Sequence, residues 1–408
     1  MEKVQKDRQL NIQNMVMNVC FFVAYCSVMM YCTLYLTEKG FAPLTIGLMF
    51  GFANLIATFL QDMLARWADR PSGPSLKSLA LGQIATGIMT ILPVVFFQPP
   101  KTYVFFAFLV QATILISVQT TLYTLSMTYE ERGHKLQFSM IRGVGSLGFA
   151  TTSLLMGFYV KSFPIDHILW VEVLALLLTC LVILTLPDLP KLREEAKSSE
   201  REEAGPSSSL FGQYPVFWGL LVGFSLLFIG HMVVNNYMAF VIDKVHGDPG
   251  NLGIAIMLGA VSEMPAMFFY SKIRKKRSDS DWMKVAAIAF TVKHLILALA
   301  TSMSLVYFSQ AIQFFSYGLF TPSFAYFAAQ TVSIREKTQA QGISIAAQSI
   351  GGALGSFFGG AIIQFLGISM TLYAVVALSA VGTAIVILSL KRAEERKRRR
   401  ARQQNPIV

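Results

Sequence analysis

Twelve long apolar stretches, separated by short charged loops, fill almost all of this 408-residue chain. A soluble domain cannot bury that many stretches of that length, so the solvent around them must be a bilayer. A helix needs ~20 apolar residues to cross the hydrocarbon. The stretches predict spans at 12–36, 41–65, 76–97, 103–128, 143–163, 167–187, 214–242, 251–271, 284–303, 305–331, 341–366 and 368–390. The runs are continuous, whereas a membrane barrel alternates over ~10-residue segments. The predicted fold class is therefore an all-α membrane protein. The first run follows a charged start, Met1 to Leu10. It is too long for a signal-peptide core and lacks a small-residue cleavage site, so it reads as a retained span.

The chain is 54% hydrophobic and 14% charged, with a net charge of +11 that could suggest nucleic acid. The distribution of that charge argues otherwise. With the N-terminus placed in the cytoplasm, the inner loops and both tails carry 28 of the 34 Lys and Arg residues. The outer loops carry only Lys39, Lys101, Lys161 and Lys244. That asymmetry is the positive-inside pattern, and twelve spans put both termini in the cytoplasm. The basic tail from Lys391 to Arg402 then lies near anionic lipid, and no nucleic-acid partner is expected. Cys20, Cys26, Cys32 and Cys180 all sit in apolar runs without metal or disulfide spacing. Neither a metal nor an organic cofactor is expected; a proton gradient is the expected energy source.

Pro187 to Gln213 is the longest polar stretch, rich in Glu and Ser with Gly205 and Pro206, and has linker composition. It divides the chain into an N-terminal six-helix bundle (1–187), a cytoplasmic linker (188–213), a C-terminal six-helix bundle (214–390) and a basic cytoplasmic tail (391–408). The halves look like copies. Pro43-Leu44-Thr45-Ile46-Gly47 returns as Pro249-Gly250-Asn251-Leu252-Gly253, and Arg142-Gly143-Val144-Gly145 returns as Gln348-Ser349-Ile350-Gly351, both 206 residues later. A basic loop follows the second span of each half. Parallel six-helix repeats joined by a long loop describe a transporter that rocks around a midplane site. Gly351, Gly355 and Gly359 share one helix face and predict close helix contact.

Ionisable residues inside a span cost ~2.5–3.5 kcal/mol each on insertion scales and mark function by default. Glu263 and Lys293 fall mid-span in consecutive spans and can pair. Burial alone would protonate Glu263, while a nearby ammonium would hold it ionised. A group balanced between those states suits proton coupling; the alternative is a static ion pair. Arg142 opens span five, where it is either a substrate group or one more edge charge. Asp62 is expected to be interfacial, and Glu172 to snorkel to the outer surface. His231 is either a satisfied polar residue or a coupling group, and it shares a helix face with Asn235 and Asn236. Amides at Asn14, Asn18, Gln119, Gln310, Gln313 and Gln348 both donate and accept, which suits a hydroxylated or heterocyclic solute. Tyr25, Tyr31, Tyr35, Tyr123 and Phe149 offer stacking surfaces.

Four motifs carry a family resemblance. They are Leu34-Tyr35-Leu36-Thr37-Glu38-Lys39-Gly40 through Ile46-Gly47-Leu48; Ala65-Arg66-Trp67-Ala68-Asp69-Arg70; Ile141-Arg142-Gly143-Val144-Gly145-Ser146-Leu147-Gly148-Phe149-Ala150; and Gln341-Gly342 through Gly351-Gly352-Ala353-Leu354-Gly355. The chain resembles the major facilitator superfamily, in the oligosaccharide– and nucleoside–proton symporter branch that includes lactose permease. The resemblance covers all twelve spans. It implies gating of the cytoplasmic side by Asp69 and Arg70, although Pro71-Ser72-Gly73-Pro74 replaces the usual glycine and basic pair. It also implies that Arg142 faces substrate, that Glu263 is the essential glutamate of helix eight, and that Lys293 takes the place of the coupling arginine of helix nine. The chain departs from the permease at Thr124, in place of that arginine's acidic partner, and at His231, near an aspartate. It departs again at Gln313 and Ser316, where the permease has a histidine and the proton-carrying glutamate. Galactoside specificity is therefore not implied, and Arg142 could meet an anionic solute.

The expected function is proton-coupled symport of a small polar organic solute by alternating access. Arg142, Asn235, Asn236, Gln313, Phe149 and Tyr25 would bind the solute, and Glu263, Lys293 and His231 would couple the proton. The expected setting is a monomer in a bacterial inner membrane, with lipid, protons and solute as partners. The rival readings are a drug-efflux antiporter of the same fold, which predicts a glycine-proline pair that span five lacks, and a non-transporting receptor or scaffold. No nucleophile elbow, phosphate loop or metal spacing suggests an enzyme.

Overall fold

A computed structural model describes residues 2–188, 210–333 and 336–404. Most of the predicted linker and the last four residues lie outside the described residues. The helices are α1 (Glu2–Tyr25), α2 (Cys32–Glu38), α3 (Pro43–Ala68), α4 (Leu76–Phe97), α5 (Lys101–Glu131), α6 (Phe138–Ser162), α7 (His167–Thr185), α8 (Leu210–Gln213), α9 (Val216–Asn236), α10 (Met238–Lys244), α11 (Pro249–Ile273), α12 (Asp279–Ala298), α13 (Met303–Ala311), α14 (Tyr317–Thr331) and α15 (Lys337–Gln404). Among the described residues there is no strand, and nine helices are long and apolar enough to cross a membrane. Large apolar side chains on their outer faces, such as Phe59 and Phe97, are more than 70% exposed, which suits contact with lipid.

Three predicted spans are broken rather than continuous. The first continues from α1 through a π-turn, Cys26–Met30, and bends at Tyr31. The seventh bends at Tyr237, between α9 and α10. The predicted span 305–331 becomes α13, a 3₁₀ turn at Ile312–Phe314, and α14. Polar side chains there compete for backbone groups: the Ser316 hydroxyl donates to the Ile312 carbonyl at 3.5 Å. The last two predicted spans lie on α15, which kinks at Gly367 with φ +80°, a conformation that only glycine adopts freely.

The repeat seen in the sequence extends to local structure. Tyr31 and Tyr237 are 206 residues apart, both are buried, and each starts a seven-residue helix. Tyr31 donates to the Ser153 carbonyl at 2.6 Å, and Tyr237 to the Ser356 carbonyl at 2.7 Å. Gly40 (φ +74°) and His246 (φ +57°) also stand 206 apart, each ahead of a helix that opens on proline.

The chain forms two compact units, Met1–Arg201 with His246–Val261, and Glu202–Val245 with Ser262–Val408. In the first, α1 packs on α6 and α7, and α5 on α3 and α4. In the second, α15 packs on α9 and α12, and α12 on α14. An aromatic core of Phe217, Phe224, Phe228, Phe290, Phe320 and Phe324 lies within the second unit.

Candidate functional site

The second unit brings together the two charges picked out from the sequence, through a residue assigned to a different role. Lys293 of α12 is fully buried. Its ammonium donates to Gln313 Oε1, and Gln313 Nε2 donates to Glu263 Oε2 at 3.2 Å. The amide thus connects acid and base, with its acceptor toward the cation and its donor toward the carboxylate. Hydrogen bonds to charged groups contribute ~1.5–3 kcal/mol each, comparable to the insertion cost of one charge. The chain of three offsets that cost while Glu263 is ionised. A proton on Glu263 weakens the donor bond from Gln313 and leaves the Lys293 charge without its counterpart.

Local sequence explains why these groups meet. Gln313 stands in the 3₁₀ turn that interrupts the tenth predicted span, so the break carries its side chain to α11 and α12. Unwound backbone at membrane depth is tolerated where protein surrounds it. Gly318 lets α14 approach α11 at the acid itself: a Cβ there would lie 3.1 Å from Glu263 Cα and 3.0 Å from Ala266 Cβ. The Ser262 hydroxyl donates to the Gln310 carbonyl at 3.0 Å and joins α11 to α13.

His231 is buried beside this chain. Its ring stacks on Tyr317 at 5.4 Å, and its Nε2 lies 3.1 Å from Asn235 Nδ2, while Nδ1 is buried without a hydrogen-bond partner. Tyr317 in turn donates to Gln348 Oε1 at 3.2 Å. Asn236 donates to Ser356 Oγ at 2.8 Å. Asn235 and Asn236 are half-buried.

In the first unit Arg142 is exposed, with its guanidinium 5.1 Å from the centre of the Tyr123 ring. Thr124, where the resemblance places an acid, spends its hydroxyl on the Thr120 carbonyl at 3.0 Å. Among the described residues no carboxylate forms an ion pair with Arg142. Phe149 meets Phe22 at 6.3 Å and Tyr25 at 6.5 Å, which makes a small aromatic group. Asp69 and Arg70 are exposed in the turn that ends α3. Asp62 is also exposed, paired with Arg66 at 2.7 Å.

Two expectations are overturned. Glu172 does not snorkel outward; it is fully buried and accepts from Gln111 Nε2, because its face of α7 turns toward α5. Asn14 and Asn18 are not solute-facing amides. Both are buried, Asn14 donating to Leu10 and accepting from Ser126, and Asn18 donating to Asn14. Sequence reasoning missed the bridging role of Gln313; its one signal was an amide within an otherwise apolar, aromatic run.

The family profile described as MFS_1 like family matches residues 15–374. The chain belongs to the MFS_1 like family. The maltose permease of Geobacillus stearothermophilus is 24% identical over 385 residues, covering 91% of this chain and 92% of that protein. Multidrug resistance protein 2 of Bacillus subtilis is 25% identical over 182 residues, covering 44% of this chain and 45% of that one. A crystal structure of a mutant nucleoside transporter NupG superposes with a TM-score of 0.78 at 16% identity, covering 93% of this chain and 99% of that one. This member of the major facilitator superfamily is thus a multi-pass integral membrane transporter, not an enzyme.

Proposed function

We propose that the chain is a proton-coupled symporter for a small polar organic solute, namely a sugar, a nucleoside or an organic acid. It works by alternating access between two six-helix bundles, crosses a bacterial inner membrane twelve times and keeps both termini in the cytoplasm. The Glu263–Gln313–Lys293 chain carries this reading. It is a half-buried acid and a buried base held by one neutral amide, which is the arrangement a titrating coupling group needs. Arg142, unpaired with any described carboxylate, supplies a cation for a carboxylate or hydroxyl of the solute, and Tyr25 and Phe149 give it apolar walls. Asn235 and Asn236 add amides, His231 tunes the coupling chain from its side, and Asp69 and Arg70 gate the cytoplasmic face. No cofactor is involved.

The test starts with a thermal-shift screen of disaccharides, nucleosides and aromatic acids on purified protein, and then follows the stabilising compound into liposomes. Glu263→Gln is expected to stop uptake driven by a pH gradient and to spare exchange of preloaded solute. Undiminished accumulation in that variant overturns the proton role. The partial match to a multidrug resistance protein favours a second reading, antiport through the same groups. Solute leaving vesicles as protons enter, rather than entering with them, would establish it.

A further inference from the structure

A buried acid in the first unit plays no part in the transport reading. Glu172 lies five residues after the start of α7 at His167, about 7.5 Å in from that end at 1.5 Å per residue. It is 0% exposed. Its Oε1 accepts from Gln111 Nε2 of α5. Its Oε2 is buried with no hydrogen-bond partner, and so is Gln111 Oε1. Two acceptor oxygens of one pair are therefore shut away from solvent with no donor, a costly arrangement for a carboxylate.

Among the described residues, no cation bonds to the pair to offset that cost. On α4 the base is Lys77, which donates to the carbonyls of Leu184 and Leu186 and pairs with Asp188 at 3.0 Å. Those partners lie roughly 18 Å further along from Glu172 at helical rise. On α5 the nearest base in sequence is Lys101, roughly 15 Å before Gln111 by the same rise, and it donates to the Gly40 carbonyl at 3.0 Å. On α7 itself stand His167, 2.7 Å from the Tyr159 hydroxyl, and Cys180. From the α1 side come Cys20, Tyr25, Cys26 and Tyr31, and from α2 come Cys32 and Tyr35. At the start of α7, Asp166 is 52% exposed and paired with Lys39 at 2.6 Å. Solvent is thus reached at Asp166, six residues before Glu172 and about 9 Å away at helical rise.

We propose that Glu172 is a second, reversible proton-binding site of this transporter, in the first unit and separate from Glu263. The step is protonation of the carboxylate at Oε2 to the neutral acid and its reversal. The proton comes from water at the Asp166 rim and returns there. The new O–H on Oε2 is the missing donor of the pair, and the unpaired Gln111 Oε1 is its acceptor while Nε2 keeps its bond to Oε1. The proposal holds for symport and antiport alike.

The test is infrared difference spectroscopy, acid minus base, on purified full-length protein in lipid nanodiscs. In the wild type a protonated-carboxyl C=O stretch is expected to grow as pH falls. It is expected to be lost in Glu172→Gln and kept in Glu263→Gln. Gln111→Leu keeps the acid and removes its partner, so the band should shift in frequency and its titration midpoint should rise. That variant decides the matter if Glu172→Gln does not fold. Identical pH-dependent bands in wild type and Glu172→Gln overturn the proposal. So does a Glu172 band that does not titrate while the protein stays folded, or a band that Gln111→Leu leaves unmoved.

Discussion

At the scale of single residues, the coupling chain depends on an amide that cannot ionise. Gln313 bonds to both charges at once, and a leucine of similar volume can bond to neither. Removing one partner of a buried charge costs about 1–3 kcal/mol or more. Gln313→Leu is therefore expected to lower the melting temperature and to reduce the accumulation ratio to one, while downhill entry of solute persists. Wild-type accumulation would show that the amide only packs. Arg142 makes a different demand. Its guanidinium lies over the Tyr123 ring at 5.1 Å, and lysine reproduces neither the plane nor the fork of that group. Arg142→Lys is expected to weaken solute affinity at least roughly tenfold, a loss of about 1.4 kcal/mol, read by solute-induced thermal shift.

Among the helices, glycines decide how closely neighbours pack. A Cβ on Gly351 would fall 2.4 Å from Phe228 Cβ and 2.7 Å from its carbonyl carbon, so backbone must move. A Cβ on Gly145, the matching position in the first half, would meet side chains alone, the rim of the Phe22 ring at 2.9 Å and Asn18 Cβ at 3.4 Å. Nothing lies within 4 Å of the one on Gly342. Gly351→Ala is therefore expected to destabilise by about 1–3 kcal/mol and Gly145→Ala by less. Gly342→Ala should stabilise by about 0.5–1 kcal/mol through helix propensity. Equal melting temperatures for the three variants would refute that order. The start of α12 adds a pH dependence. The Ser278 hydroxyl at 2.7 Å, and then Lys284 at 3.2 Å, hold the Asp281 carboxyl below its ordinary range. A depressed folded pKa gives stability that is complete above the ordinary carboxylate value and is lost as pH falls through the lower, folded value. Asp281 is 44% exposed, so the effect is small, within the ~0–1 kcal/mol of a surface pair. Asp281→Asn should flatten only the acid limb of stability against pH.

For the whole molecule, the repeat makes a symmetric prediction. Tyr31→Phe and Tyr237→Phe each remove one bond from a bend to a serine carbonyl. Each is expected to cost about 1 kcal/mol; a large effect from one and none from the other would mean that the bends are not equivalent. An even number of spans also requires both termini on one side. Reporter fusions at the two ends reading opposite compartments would reject the twelve-span topology.

The sequence alone determined what depends on neighbours along the chain: a membrane solvent, all-helical spans, a 206-residue repeat, and the charges worth watching within apolar runs. Hydrophobicity, positive-inside asymmetry and charge scarcity are local or additive quantities, so they survive without coordinates. Tertiary structure alone decided which way each helix is rotated and where it breaks. Rotation turned Glu172 inward and consumed Asn14 and Asn18 in packing. The break at Ile312–Phe314 brought Gln313 to an acid fifty residues away in sequence. A neutral amide leaves no charge or period by which sequence could announce such a partner. Its role exists only once three helices converge on it.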